Sequence, residues 1–420
     1  MSSLIDTPAT RWPNLLFILA FSLVLMQQFW VFGKMPLLFF LFYAIAAYAL
    51  TKGYLVINKS ALICYMIMVI CAVSSTIVVW QHTGYKELTS LSYFAVIYAL
   101  FCLKPNQAVP HRALLHTWQK MTLLTAMLGC IQFGLYASIG IYADLHFLLP
   151  HFLIDGPGFV HLKDIRHGPY LVRANGMVFL EPSFFSQFLA IGLIIETLFF
   201  RRWRYMLILL AGFFCALSGT GIILLTLGGI MICLYHRKDI PLKYLLSLIG
   251  GMACLAAAVL FIPRLHSYFA TRFDVLFSLP TNSSPYLRFV APWTNMVTIF
   301  KQNALNIWFG IGSGWNHIAA TLLGPHTHGY HAWVIQHANY NAFTQLAIYY
   351  GLPTALLFTG FVLFIALKPA KHTWQRIVMI MALCQFFFLS GALLTPNIGY
   401  VLLWLMFLYS GVANAKNCTH

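Results

Sequence analysis

From residue 14 onward the chain repeats one pattern: an apolar run near the length of a membrane helix, a polar break, then another run. About 20 apolar residues cross ~30 Å of hydrocarbon as an α-helix. In lipid, only helices and closed barrels satisfy their backbone polar groups internally. Twelve candidate spans fall at 14–32, 37–51, 61–80, 87–103, 121–142, 181–200, 205–219, 220–236, 243–262, 339–367, 376–391 and 397–413. The 420 residues are 60% hydrophobic and only 8% charged, whereas soluble chains carry about 25% charged residues. The expectation is an all-α, polytopic integral membrane protein with a single membrane domain over 1–420.

The formal charge of +16 has a topological reading. Lys and Arg collect in short cytoplasmic loops. With the N-terminus inside, sixteen of the twenty-five Lys and Arg fall on the inside, and seven of the other nine lie in two long segments where the rule is weak. Both termini are then cytoplasmic, and no nucleic-acid partner is needed to explain the charge. The first apolar run, with Arg11 as its only early basic residue, does not read as a cleavable signal peptide. Cysteines lie in spans, at their ends or in the C-terminal tail, and imply neither a structural disulfide nor a metal site.

Two long segments, 143–180 and 263–338, face the same non-cytoplasmic side on this topology. Long polar connections between packed helices are commonly functional. Here they hold ten histidines and most of the outside charge. The first ends in RANGMVFLEPSFFSQF, Arg173 to Phe188. Pro182 suits a first helical turn. Glu181 is then either an acid complementing the helix dipole or a carboxylate held at the membrane face for a substrate hydroxyl. The second segment carries Arg288 in a stretch with no other charge, where a lipid head group or Asp274 could equally hold it. Its GIGSG fits a glycine turn at which backbone approaches a ligand or a neighbour. It is no phosphate loop, because no strand precedes it and no Lys-Ser/Thr follows.

The stretch HTHGYHAWVIQHANYNAF supplies His326, His328, His331 and His337. The first three could offer nitrogens to zinc, but no nearby Asp, Glu or Cys completes a set and the spacing fits no standard motif; no metal is assigned. His337 stands at the entry of an apolar run, followed by Asn339 and Asn341. A bland reading makes it a helix-start histidine bonded to loop backbone. Glu196, near the inside end of its span, reads as structural, within reach of a snorkelling Arg201 or Arg202.

Taken in order, RANGMVFLEPSFFSQFLAIGL, LSGTGIILLTLGG, the isolated Arg288, FGIGSGW and HANYNAFTQLAIYYGLPTALLFTGFVLF resemble the O-antigen polymerase and O-antigen ligase superfamily of bacterial envelopes. The pieces run from Arg173 to Phe364; the earlier spans match only in being hydrophobic. The resemblance implies about twelve helices in the inner membrane, a large periplasmic loop before a late helix, and no cofactor. It also implies a metal-independent glycosyltransferase that uses an undecaprenyl-diphosphate-linked oligosaccharide, with membrane lipid and a chain-length regulator protein as further partners. Arg288 matches the family's loop arginine and Arg173 is the second choice; both would stabilise the diphosphate leaving group. His337 matches the family's histidine before the late helix and would be the base. Glu181 is the second catalytic candidate, and Asn339 and Asn341 would orient ring or sugar. Where ligases carry a Ser-Arg pair, this chain has Ser218-Gly219-Thr220-Gly221. The expected activity is therefore polymerisation, with ligation to lipid A-core or transport of lipid-linked sugar as alternatives.

Overall fold

The computed structural model describes residues 29–31, 35–83, 85–106, 111–144, 173–216, 218–235, 250, 261, 286–313, 341–367 and 373–389. Among these the chain is mostly helical, and four helices are long and apolar enough to cross a membrane. The helices are α1 (Leu37–Thr51), α2 (Lys59–Thr83), α3 (Tyr85–Ala99), α4 (His111–Ile139), α5 (Pro182–Ile195), α6 (Trp203–Ala216), α7 (Gly219–Tyr235), α8 (Ala291–Gln302), α9 (Leu305–Phe309), α10 (Ala342–Leu367) and α11 (Thr373–Cys384). Three π-helical turns, Glu196–Phe200, Tyr286–Val290 and Gln385–Leu389, extend α5, precede α8 and extend α11. The membrane-length helices are parts of α2, α4, α5 with its π turn, and α10.

Several expectations are refined. The helix expected from residue 121 starts at His111 and ends at Ile139. Residues 286–302 and 305–309, expected within a long polar connection, are largely helical. Two short antiparallel pairs depart from a purely helical chain: β1 (Trp30–Val31) with β2 (Met35–Pro36), and β3 (Leu55–Ile57) with β4 (Leu103–Pro105). In the second pair Leu55 faces Pro105 and Ile57 faces Leu103, joining the α1–α2 and α3–α4 connections. The expected span 397–413 and nearly all of 14–32 and 243–262 lie outside the described residues.

α5 is the axis of the bundle. Its spanning stretch is 83% buried, against 33% for α2 and 28% for α4. Every residue of α5 is buried, Ser183, Ser186 and Gln187 included, as befits a helix in the interior rather than at a surface. Lipid is as apolar as leucine, so helices associate in it through close packing rather than through the hydrophobic effect. Small residues supply that closeness here. A Cβ on Gly192 of α5 would lie 2.3 Å from Thr122 of α4. One on Gly212 of α6 would lie 2.9 Å from the Ala126 backbone. Gly221 and Gly228 of α7, two turns apart, sit against Ser186 and Ile194 of α5, at 2.5 and 2.8 Å by the same measure. The glycines of LSGTGIILLTLGG that face α5 are thus contact points.

α10 is broken. Gly351 takes φ 85° and ψ 162°, and Pro353 follows inside the helix. Proline has no N–H, so the Tyr349 carbonyl loses its helical donor, and the turn at Gly351 removes that of Ile348. Both carbonyls are recovered across the fold: Ile311 N–H donates to Ile348 O (2.8 Å) and Gly312 N–H to Tyr349 O (3.1 Å). The GIGSG turn therefore approaches a neighbouring backbone. Gly310 (φ 70°) and Gly351 let the chains meet, since a Cβ would stand 2.5 Å from Ile348 O or 2.1 Å from Trp308 O respectively. The Ser75 hydroxyl of α2 donates to Phe309 O, holding the same segment from its other side.

Gly351→Ala is expected to lower the melting temperature in detergent by several degrees, because it combines backbone overlap with a left-handed φ costing about 1–2 kcal/mol. Gly229→Ala, where a Cβ meets nothing within 4 Å, serves as the silent control. Equal melting of the two variants would contradict this account of the break.

Candidate functional site: a buried Arg–Glu pair at the head of the central helix

α5 begins at Glu181. The residue is extended (φ −141°, ψ 150°), as a residue just outside a helix should be, with Pro182 opening the first turn. Its carbonyl starts the helix by accepting from Phe184 N–H (3.1 Å) and Phe185 N–H (3.2 Å). Its carboxylate makes no side-chain capping bond to that turn. Instead it turns to Arg288 of the Tyr286–Val290 turn, 107 residues later, whose Nη2 donates to Oε2 at 2.9 Å. Ser183 Oγ donates to the same Oε2 at 2.6 Å and lies 3.4 Å from Arg288 Nη2. Arg288 Nη1 donates to the Leu389 carbonyl at 3.2 Å. One cation thus joins the start of α5, the turn before α8 and the turn after α11.

Both charges are almost wholly removed from solvent, Glu181 at 4% exposure and Arg288 at 5%. Burying charge costs several kcal/mol per ion unless it is paired and hydrogen-bonded. The site meets that demand on one side only, since Glu181 Oε1 is buried and has no hydrogen-bond partner. The other end of the same helix offers a comparison. Glu196, 0% exposed, accepts at Oε1 from the Arg202 backbone N–H and Nε, both at 2.9 Å. Its Oε2 accepts from Arg202 Nη2 (2.8 Å) and Gln119 Nε2 (2.7 Å). The Arg202 guanidinium is further held 4.4 Å from the Phe200 ring centroid and 4.2 Å from that of Tyr205. Glu196 is a saturated structural carboxylate. Glu181, on the same helix and as deeply buried, keeps one oxygen open.

Arg173 and the turn after it are pinned to α4. Asn175 N–H donates to Gln132 Oε1 (2.9 Å), while Gln132 Nε2 donates to Asn175 Oδ1 (2.8 Å) and to Ala143 O (2.6 Å). Asn175 Nδ2 reaches Asp144 Oδ2 and Phe179 O, each at 2.7 Å. Gly176 and Met177 both take positive φ, and a Cβ on Gly176 would meet the Phe185 ring at 2.8 Å. The RANG sequence is therefore a turn clamped onto the first turn of α5. The Tyr142 hydroxyl, past the end of α4, donates to Arg173 O at 3.2 Å. Burial, then the nearby Asp144, push that phenol up, so it stays a donor.

Asn341 caps α10: its Oδ1 accepts from Thr344 N–H at 3.1 Å. The Trp293 and Phe343 rings, 5.8 Å apart, bring the start of α8 beside that cap. His337 and Asn339, with His326, His328, His331 and Asp274, lie outside the described residues. The structure thus joins Glu181 to Arg288 and places Asn341 at a helix cap. Sequence reasoning missed Ser183, the Gln132–Asn175–Asp144 network and a buried Gln385 Nε2 to Gln187 Oε1 bond (2.8 Å) one turn below Ser183. The readable signal was a glutamine interrupting an apolar run, since polar side chains there need partners. Among the described residues no group of His, Cys, Asp and Glu could hold a metal ion. No protein-family model matches the chain, and no curated protein matches it.

Arg288→Met alone is expected to destabilise the protein by about 3–5 kcal/mol, because it strands a buried carboxylate. Arg288→Met combined with Glu181→Leu should recover most of that loss. Equilibrium unfolding in detergent measures both, and additive losses would show that the two charges are not coupled.

Proposed function

We propose that this chain is a bacterial inner-membrane glycosyltransferase that polymerises undecaprenyl-diphosphate-linked repeat units at the periplasmic face. In this reading twelve spans cross the membrane, both termini are cytoplasmic, and 143–180 and 263–338 lie in the periplasm. The observation that carries it is the buried Arg288–Glu181 pair, in which one carboxylate oxygen has no partner. A cation and an unpaired acceptor atom are the two groups this transfer requires.

The chemistry balances without a cofactor. The acceptor hydroxyl oxygen bonds to the anomeric carbon of the donor sugar as the bond from that carbon to the diphosphate oxygen breaks. The leaving diphosphate keeps the electron pair, and Arg288 stabilises its charge, with Arg173 as the second cation. The hydroxyl proton passes to His337, with Glu181 accepting the hydrogen bond that orients the nucleophile. Asn339 and Asn341 steer the ring or the sugar. Membrane lipid surrounds the enzyme, and a chain-length regulator protein is its natural partner.

The break in α10 raises a transport reading, since transporters build substrate and ion sites from interrupted helices. Here the carbonyls released at the break are taken by Ile311 and Gly312 N–H groups, which favours the enzyme. The Ser218-Gly219-Thr220-Gly221 segment has no arginine; Ser218 and Thr220 hydroxyls pair with each other at 3.1 Å. That favours polymerisation over ligation.

Purified protein given lipid-linked repeat unit, without metal or nucleotide, is expected to yield a ladder of longer lipid-linked glycans. EDTA should leave the ladder intact, and His337→Ala or Arg288→Ala should each reduce it by about 10²-fold or more. Growth only on lipid A-core would make the protein a ligase. Absence of any transfer, with lipid-linked sugar instead crossing vesicles, would make it a transporter.

A further inference from the structure

Arg288 engages Glu181 through one oxygen. Its Nη2 meets Oε2 at 2.9 Å, its Nη1 is directed to Leu389 O at 3.2 Å, and Oε1 meets no donor. Arginine and carboxylate frequently pair through two parallel bonds. This protein makes that fork elsewhere, with Arg202 Nε and Nη2 on the two oxygens of Glu196 at 2.9 and 2.8 Å. The Arg288 pair is therefore half of the contact its two groups can form. A buried guanidinium still needs an anion beside it at all times. Glu181 supplies that anion while crowding Ser183 and Arg288 onto a single oxygen. A diphosphate carries several oxygens and more negative charge than one carboxylate, so it matches the guanidinium fork better.

We propose that Glu181 is a resident stand-in for the substrate's diphosphate. In the empty protein it occupies the anion position on Arg288, and an arriving diphosphate displaces it. No covalent bond changes in this exchange: Arg288 passes from carboxylate to diphosphate, and the freed carboxylate becomes the acceptor for the incoming hydroxyl. The proposal rests on the function argued above and adds an order to it. The lipid-linked donor binds first, because until it does Glu181 stays turned onto Arg288 with its unpaired oxygen buried, out of reach of an acceptor hydroxyl.

The test is calorimetric titration of inorganic pyrophosphate into the purified full-length protein in metal-free detergent buffer, with thermal melting in parallel. Glu181→Gln removes the competing charge and keeps the shape. It is expected to bind pyrophosphate about tenfold tighter than the parent while losing glycan transfer. Arg288→Gln should lose both pyrophosphate binding and transfer. Glu181→Gln leaves a buried arginine without its anion, so it should melt lower than the parent, and pyrophosphate should raise its melting temperature by more than it raises the parent's. Should this variant purify poorly, pyrophosphate present throughout should restore it; failure to do so overturns the exchange. Unchanged or weaker pyrophosphate binding by Glu181→Gln also overturns it. If that happens while the parent still elongates glycans, the exchange is wrong and the polymerase reading stands. If the variant binds tighter but the parent transfers no sugar to any acceptor, the reverse holds.

Discussion

Hydrocarbon offers no hydrogen bonds, so a buried charge in this bundle depends on partners supplied by the chain itself. α5 runs through the interior with an acid at each end, and the two ends answer the constraint differently. At Glu196 four donors close every valence of the carboxylate within a few residues of chain and one neighbouring helix. At Glu181 the counter-charge arrives from 107 residues away and covers one oxygen. The first carboxylate is saturated by the protein's own donors; the second keeps one buried oxygen without a hydrogen-bond partner.

That asymmetry explains why three separate segments converge on one arginine. Leu389 O, Ser183 Oγ and Glu181 Oε2 come from the end of one helix and the start of another, and Arg288 is the point they share. The turn from Arg173 to Met177, tied to Gln132 and Asp144 and packed on Phe185, stiffens the approach to Glu181. Rigid elements hold a polar constellation more precisely than loops do, and here the Arg288–Glu181 pair sits at the N-terminal boundary of a helix buried along its whole length.

How much was legible in the sequence follows the distance over which each feature is written. Apolar runs are local, so the stretches at 37–51, 61–80 and 181–200 coincide closely with α1, α2 and α5. The Glu196–Arg202 pair spans six residues and could be anticipated from snorkelling alone. Glu181 and Arg288 could each be singled out as unusual, but nothing in a one-dimensional pattern said that they touch. The run 339–367 reads as one long span because its hydrophobicity is continuous. Only Gly351 and Pro353 mark the break, and where its carbonyls go depends on Ile311 and Gly312, outside that run. Asn341 could be singled out in the sequence for its place beside His337, but its capping of α10 through Oδ1 is seen only in the structure.

The repair of that break has a consequence for biosynthesis. The donors at Ile311 and Gly312 precede the acceptors at Ile348 and Tyr349 in the chain. A ribosome therefore delivers the patch before it delivers the gap. Had the order been reversed, a helix with bare carbonyls would have waited in lipid for its cover to be synthesised. As built, the donors at Ile311 and Gly312 are synthesised before the helix whose carbonyls they take.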